Sequence, residues 1–396
     1  MLLRKAFKFR LKTNAETANV LTRFSGSTRF VWNKALALQI NRLEKKEKIL
    51  RYAELCELIT KWKDNEDTLW LSESPSQAIQ QSLKNLDKAF RDAFDKKSAK
   101  RFPQFKKKGQ HDSFRYPQGI KVLDNQVFLP KIGWVRFFKS REMVGKIKNA
   151  TVSKRGLHWF VSIQTEWEVE QPKPNVKSIV GIDVGIKKFA VLSNGTEFRP
   201  RNSLKKKLKR LAFEQKGLAR KQKGSSNFKK HKKKISKIHI KIADARLDYL
   251  HKTSTTISNN HACVVLEDLK VANMSKSAKG DMQNPGKCVK AKSGLNRSIL
   301  DQGWHSFKTL LQYKLDELGG DLVLVNAQYT SQRCSDCGHT SRDNRTTQAR
   351  FCCTHCGHAE NADYNAARNI LAAGHAVLAC GNTKLIAALA QESHGL

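Results

Sequence analysis

The sequence predicts a multidomain α+β chain: a β-barrel or sheet module interrupted by a helical bundle, then an α/β domain with a small cysteine-rich insertion. Three observations predict it. Hydrophobic spacing runs at period two, then at the helical period, then at two again within the first 170 residues. After Gln171-Pro-Lys-Pro174, short apolar runs alternate with longer amphipathic ones, the pattern of an α/β layer. Two Cys-x-x-Cys pairs then stand between the last apolar run and the last helix. A length of 396 residues fits roughly two to three domains, and 39% hydrophobic residues with 19 Phe and 7 Trp supply core material against wholesale disorder.

Residues 1 to 10 alternate Phe7 and Phe9 with Lys8 and Arg10, a half-exposed strand. Phe30, Trp32, Leu36 and Ile40 open a helical run, a charged helix is expected from Asn41 to about Lys63, and Leu71-Ser-Glu-Ser-Pro75-Ser makes a capping-type turn. Ile79, Leu83, Leu86, Phe90 and Phe94 recur on one helical face. Period two returns from Phe114 to Trp167, through Val127-Phe-Leu129 and Trp134-Val-Arg-Phe137 to a hairpin at Lys154-Arg-Gly156 with Trp159, Val161 and Ile163 on its second arm. The isolated first strand is this module's natural partner, which makes the bundle an insertion. A domain boundary falls at the Pro-rich stretch.

Residues 178 to 199 read as strand, turn, strand, Asn194-Gly195 turn, strand. Residues 201 to 241 hold 17 Lys or Arg and one acid, Glu214. Stripes at Leu204, Leu208, Leu211 and at Ile235, Ile238, Ile242, Ala245, Tyr249 flank a Gly224-Ser-Ser-Asn bend, so two basic helices form a hairpin. Cys263-Val-Val-Leu-Glu267 is a buried strand ending in an acid. Residues 270 to 297 are expected to be a mobile loop or lid, followed by a helix from about Ser298 to Leu318 and a strand from Asp321 to Val325.

Charge narrows the function. With 74 Lys+Arg against 35 Asp+Glu, the net charge of +39 argues against an ordinary enzyme of small neutral substrates and for a polyanionic partner bound through counterion release. The run containing Lys205, Lys206, Lys207 and Arg210 reads as a nucleic-acid channel rather than a solvated face. No stretch approaches the roughly 18 apolar residues of a spanning helix, residues 370 to 390 being broken by His375, Asn382 and Lys384. Met1 to Leu11 carries Arg4, Lys5, Lys8 and Arg10 without an apolar region behind them, unlike a signal peptide, and the expectation is a cytoplasmic protein without a membrane partner.

Of nine cysteines, four form Cys334-Ser-Asp-Cys337 and Cys353-Thr-His-Cys356, fifteen residues apart. Thiolates on two such knuckles close a tetrahedron around structural zinc, with Gly338 and Gly357 suiting the turns. An iron–sulfur cluster or plain reduced thiols are the alternatives. Cys352, His339, His355 and His358 are further candidates for the fourth ligand. The second signal is made of carboxylates. Asp183 lies in Gly181-Ile-Asp-Val-Gly185, Glu267 ends a strand, and Asp363 begins the helix Asp363-Tyr-Asn-Ala-Ala-Arg-Asn-Ile after the knuckles. That order matches the ribonuclease H layout, in which three acids hold two Mg²⁺ ions by hard oxygen ligands. Singly, Asp183 could be a turn residue, Glu267 a solvated strand end like Asp268, and Asp363 a helix cap.

Together Gly181-Ile-Asp-Val-Gly-Ile-Lys-Lys-Phe-Ala190, Val265-Leu-Glu-Asp-Leu-Lys270, the knuckles and Asp363-Tyr-Asn-Ala-Ala-Arg-Asn-Ile370 resemble the TnpB family. These are transposon-encoded, RNA-guided DNA endonucleases related to type V CRISPR effectors. The likeness also takes in Phe30-Val-Trp-Asn-Lys-Ala-Leu36, Pro103-Gln-Phe-Lys106, Asp248-Tyr-Leu-His-Lys252 and Ala372-Ala-Gly-His-Ala-Val-Leu-Ala-Cys-Gly381, nearly the whole chain.

The resemblance implies a wedge-type β-barrel at 1–10 and 112–170 and an inserted helical recognition domain at 11–111. It implies a RuvC-like nuclease domain of ribonuclease H fold at 175–330 and 359–372, a zinc ribbon at 331–358 and a C-terminal tail at 373–396. Matched residue by residue, Asp183, Glu267 and Asp363 would be the catalytic, Mg²⁺-binding triad (Mn²⁺ serving in its place) and Cys334, Cys337, Cys353 and Cys356 the Zn²⁺ ligands. Asn361-Ala362 departs from the family, where many relatives carry an acid and an arginine.

The implied partners are a guide RNA from the transposon end and double-stranded target DNA, with the protein, a monomer of the prokaryotic cytosol or nucleoid, reading a short adjacent motif. Gln80, Gln81 and Lys84 are candidate base readers, against the alternative of plain surface polarity. Three competing readings stand beside endonuclease: a catalytically silent guide-bound regulator, a transposase or resolvase acting on DNA without a guide, and a simple basic zinc-ribbon DNA binder.

Overall fold

The computed structural model describes residues 2–170, 172–174 and 176–379. The chain divides after Glu170 into two units. In the first, β1 (Leu2–Arg10) leads into helices α1 (Ala15–Glu44), α2 (Tyr52–Asp64) and α3 (Ser76–Phe94). Strands β2 (Ser113–Tyr116), β3 (Lys121–Leu123), β4 (Gln126–Leu129), β5 (Gly133–Arg136), β6 (Lys146–Arg155) and β7 (His158–Glu168) follow. One sheet has the order β1-β7-β6-β2 and a second the order β3-β4-β5.

Alternation puts Phe7 and Phe9 on the buried face of β1, where they join Tyr116, Val127, Phe137, Trp159 and Ile163 in a core that both sheets share. A bridge between Leu11 and Phe137 joins the sheets. The helices bury a second core around Leu36, Leu55, Leu83 and Phe90. The charged helix expected from Asn41 to Lys63 is broken between Lys45 and Arg51. The cause is a side chain: Gln39, fully buried, donates to Leu50 O at 2.6 Å and accepts from Leu50 N at 2.9 Å, which folds the chain back and seats Leu55 and Ile59 on α1. The turn expected at Leu71 is the end of a 3₁₀ helix, Glu66–Glu73.

The second unit holds β8 (Ile179–Val184), β9 (Ala190–Leu192), β10 (Glu197–Phe198), α4 (Leu208–Ala219), α5 (Ser226–Asn260), β11 (Cys263–Glu267), α6 (Val271–Met274), α7 (Val289–Gln302), α8 (Trp304–Leu318), β12 (Asp321–Val325), β13 (Arg350–Cys352), β14 (Ala359–Asn361) and α9 (Ala362–Ala379). Its main sheet runs β10-β9-β8-β11-β12, with β8, β11 and β12 parallel. Such a sheet is covered on both faces. Phe307, Leu311 and Leu315 of α8 pack one face with Leu250 and Ile257 of α5, and Ile370 and Leu378 of α9 pack the other.

Two expectations are corrected here. Residues 270 to 297 contain α6 and the start of α7, because Asn296 Nδ2 donates to the Ser275 and Lys276 carbonyls at 3.0 Å and Lys292 Nζ to Met274 O at 2.7 Å. The helix expected from Ser298 to Leu318 is two, broken at Gly303, whose φ of 74° no helix accommodates. Residues 380–396, the end of the expected tail, lie outside the described residues.

Helix α9 lies unusually close to the sheet. A methyl group on Gly181 would stand 2.3 Å from Ala367 O and 2.6 Å from Leu371 N, and one on Gly374 would stand 2.4 Å from Val265 Cγ2. Gly181→Ala is therefore expected to destabilise the protein by about 3 kcal/mol through overpacking. Gly195→Ala, at φ 93° with open space around it, should cost about 1 kcal/mol. Urea midpoints check both, and equal losses would show that this contact does not hold the helix.

Candidate active site and metal centre

Leu266 pairs with Ile182, so Glu267 and Asp183 are the next residues along neighbouring parallel strands. Helix α9, packed on those strands, presents Asp363 in its first turn. Burial first, then the charges of Glu267 and Asp363, push the Asp183 carboxyl up to about 7, while Arg345 pulls it down. Glu267 is also raised, chiefly by burial. Two of the bland readings fail on geometry. The cap of α9 is Asn361, whose Oδ1 accepts the Asp363 N–H at 3.0 Å, so the Asp363 carboxylate is left for other work and the departure from the family keeps a capping residue. Asp268 is unlike Glu267: Lys270 and Lys308 hydrogen-bond it and hold it below the usual carboxylate range.

Sequence reasoning missed four residues around this site. Arg345 Nη2 lies 3.9 Å from Asp363 Oδ1. Thr330 Oγ1 donates to Glu267 Oε1 at 2.5 Å. The Asn369 amide donates to Thr330 O at 2.9 Å and to Arg333 O at 2.7 Å. The Asn365 amide donates to Arg333 O at 2.8 Å, and its carbonyl accepts Ser335 N at 2.9 Å. Arg345 is one of several basic residues between the knuckles and nothing in spacing singles it out. Both asparagines sit in the Asp363 motif and are buried on α9, and their spacing of four residues on one helical face was the one signal the sequence offered.

Cys334, Cys337, Cys353 and Cys356 bring their Sγ atoms within 4.8 Å of one another, the one such group of possible metal ligands among the described residues. The separations Cys334–Cys356 of 3.8 Å and Cys337–Cys353 of 3.6 Å match the ~3.8 Å edge of a tetrahedron with 2.3 Å Zn–S bonds. Both knuckles repeat one geometry: Cys334 N donates to His339 O and Cys353 N to His358 O, and Gly338 and Gly357 turn at φ 78° and 75°. His339 and His358 thus contribute backbone to the turns, and Cys352 lies on β13 outside the cluster. The Cys356 N–H holds the Cys353 thiol down to about 6. Asn344, fully buried, ties the knuckles by donating to His339 O at 3.1 Å and accepting Thr354 N at 2.9 Å.

The expected nucleic-acid residues fall on surfaces. Gln80 and Lys84 are exposed on α3, and Gln81 donates to Asn85 at 2.8 Å. Lys205, Lys206, Lys207 and Arg210 are exposed around the start of α4. The hairpin of α4 and α5 is held by Leu211, Ile238 and Ile242 and by Glu214, which lies 2.9 Å from His231 Nδ1.

Residues 162–278 match the sequence family described as "Probable transposase", 304–370 the "Cas12f1-like, TNB domain" and 1–48 a "Helix-turn-helix domain". The described part of that last span holds β1 and α1. The chain is 51% identical over 379 residues, 95% of its length and 94% of the relative's, to the "Putative RNA-guided DNA endonuclease InsQ" of Escherichia coli (strain K12). It is 34% identical over 387 residues, 96% of its length and 92% of the relative's, to a "Putative RNA-guided DNA endonuclease" of Streptomyces pristinaespiralis. Among solved structures, the mini-RNA-guided endonuclease CRISPR-Cas_phi3 is similar over 94% of this chain and 92% of its own, at 11% identity and a TM-score of 0.43. Identity of this extent along nearly the whole length, with the motif residues in place, makes this chain a member of the TnpB family.

Proposed function

We propose that this protein is the RNA-guided DNA endonuclease of an insertion sequence, cutting double-stranded DNA beside a short motif by two-metal-ion phosphodiester hydrolysis. The observation that carries the reading is the placing of Asp183 and Glu267 at the ends of neighbouring parallel strands with Asp363 in the first turn of the helix packed on them, where burial first and then the charges of Glu267 and Asp363 raise Asp183. Relatives named as RNA-guided DNA endonucleases over almost the full chain support it. Three crowded carboxylates suit hard divalent cations, so Asp183, Glu267 and Asp363 would hold two Mg²⁺ or Mn²⁺ ions. Such ions, when bound, activate a water nucleophile and stabilise the leaving oxygen. Thr330 holds one Glu267 oxygen by a hydrogen bond. Arg345 supplies a positive group beside Asp363 for phosphate charge.

The four-cysteine centre holds structural Zn²⁺, and the ribbon around it hangs on α9 through Asn365 and Asn369. Lys205, Lys206, Lys207 and Arg210 bind the backbones of guide and target, and Gln80, Gln81 and Lys84 read the adjacent motif. The guide is transcribed from the transposon end, and one protein chain acts in the prokaryotic cytoplasm. No helix among the described residues is long and apolar enough to cross a membrane.

Sequencing the RNA that co-purifies with protein expressed from its own flanking DNA tests the guide. One abundant species from the element's end is the expected result, and a smear of cellular RNA would favour the unguided enzyme. With that guide and Mg²⁺, Asp183→Ala should lower cleavage roughly a thousandfold while target binding stays unchanged. Unchanged cleavage would leave the regulator reading.

Because the folded chain holds the Asp183 proton more tightly than the unfolded one, the stability linked to it is full below its ordinary value of 3.8 and is lost as pH rises to about 7. Without divalent ions, Asp183→Asn should therefore gain on the wild type by about 2–4 kcal/mol between pH 4 and pH 8, read as urea midpoints. A pH-independent gap would contradict the crowding. Cys353→Ser should lose bound zinc, measured by native mass spectrometry, and lower cleavage roughly tenfold or more as the ribbon loosens from α9. Full cleavage by zinc-free protein would refute the coupling.

A further inference from the structure

A cavity of about 480 Å³ opens beside Glu267, and no step above uses it. Val184, the residue after Asp183, and Leu266, the residue before Glu267, line it together with Trp304 and Phe307 of α8. Lys270, Asn273, His305 and Lys308 also line it, and of these Lys270, Asn273 and His305 are exposed. Lys270 and Lys308 share the carboxylate of Asp268, which sets two lysines at the edge of a cavity whose lining also holds Glu267. The wall made by α6 is fixed in advance, because Lys292 and Asn296 of α7 bond the carbonyls of Met274, Ser275 and Lys276.

We infer that this cavity receives one unstacked nucleobase of the DNA strand being cut, the base adjoining the scissile phosphate. The inference rests on the nuclease reading above and names where its substrate is held. A phosphate brought to Asp183, Glu267 and Asp363 carries a sugar and a base with it. A base that stayed paired and stacked would hold a duplex against the strand ends. The apolar walls offer a planar ring a desolvated surface, and the Asn273 amide and His305 imidazole offer polar partners to its edge. Lys270 and Lys308 suit the flanking phosphates, and the volume is that of a site for one small ligand. Adjacency decides the occupant: a group seated against Leu266 and Val184 is one residue along the chain from two of the three carboxylates.

The test is a walk of single abasic sites through the nucleotides flanking the cut, in the cleaved strand of a guided target. Removing one particular base should lower wild-type cleavage about tenfold, the loss of one stacked base, with target binding unchanged. Ala272→Trp narrows the cavity from an exposed position that also lines it. It should lower cleavage of intact DNA by a similar factor and show no further loss at that abasic position. In Asp183→Ala protein, which retains bound DNA, 2-aminopurine at the same position should change its fluorescence relative to duplex, and Ala272→Trp should abolish the change. Wild-type cleavage indifferent to every abasic site, or losses that multiply in the variant, would overturn the inference while leaving the nuclease intact. Wild-type protein that cuts no guided DNA would overturn the nuclease reading itself.

Discussion

Asp363 reaches the strand ends because α9 lies against β8 and β11 at a distance that admits no side chain at Gly181 or Gly374. The position of Asp363 beside the two strand-end acids depends on that approach. The same helix buries Ile370 and Leu378 on one face of the sheet and offers Asn365 and Asn369 to the cysteine ribbon. One packing contact therefore sets the position of the third carboxylate and the attachment of the four-cysteine ribbon. Asn361 completes the arrangement by capping the helix, which frees the Asp363 carboxylate from the hydrogen bond that an N-terminal aspartate would otherwise make.

Electrostatics then divides the molecule. A chain with a net charge of +39 brings three of its acids to one end of the sheet, where burial first and then the charges of Glu267 and Asp363 raise Asp183 to about 7. Asp268, one residue from Glu267, shows what an ordinary acid does in this protein: it takes two lysines and ionises readily. Arg345, at 3.9 Å from Asp363, is the positive group admitted near the crowded carboxylates, and it arrives from the ribbon rather than from the sheet. Hydrogen bonds run from Arg333, next to Cys334, through Asn369 and Thr330 to Glu267 and so link the four-cysteine ribbon to the strand-end acids.

Several parts were legible because they are local. Short continuous apolar runs marked the strand from Asp321 to Val325 and the strand from Cys263 to Glu267 at the bounds they have. The Cys-x-x-Cys spacing named the four thiols that meet, since a tight turn with glycine behind it suffices to aim two sulfurs at one point. The basic hairpin could be read from its two apolar stripes, which do pack together. The breaks could not. The interruption after Lys45 depends on the Gln39 side chain capturing a backbone eleven residues away, and the order of residues 271 to 276 depends on Asn296. A polar side chain looks the same in sequence whether it faces water or a carbonyl.

The sequence by itself determined most of the strands and the basic hairpin, the four thiols, the charge that demands a polyanion, and which acids stand at strand and helix ends. Only the tertiary structure decided that those acids crowd one another, that Asn361 rather than Asp363 caps α9, and that Thr330 and Arg345 belong to the site. The physical reason is distance along the chain. Thr330 and Glu267 lie 63 residues apart, and no local periodicity encodes a contact that exists because two strands run parallel and a helix crosses them on glycine.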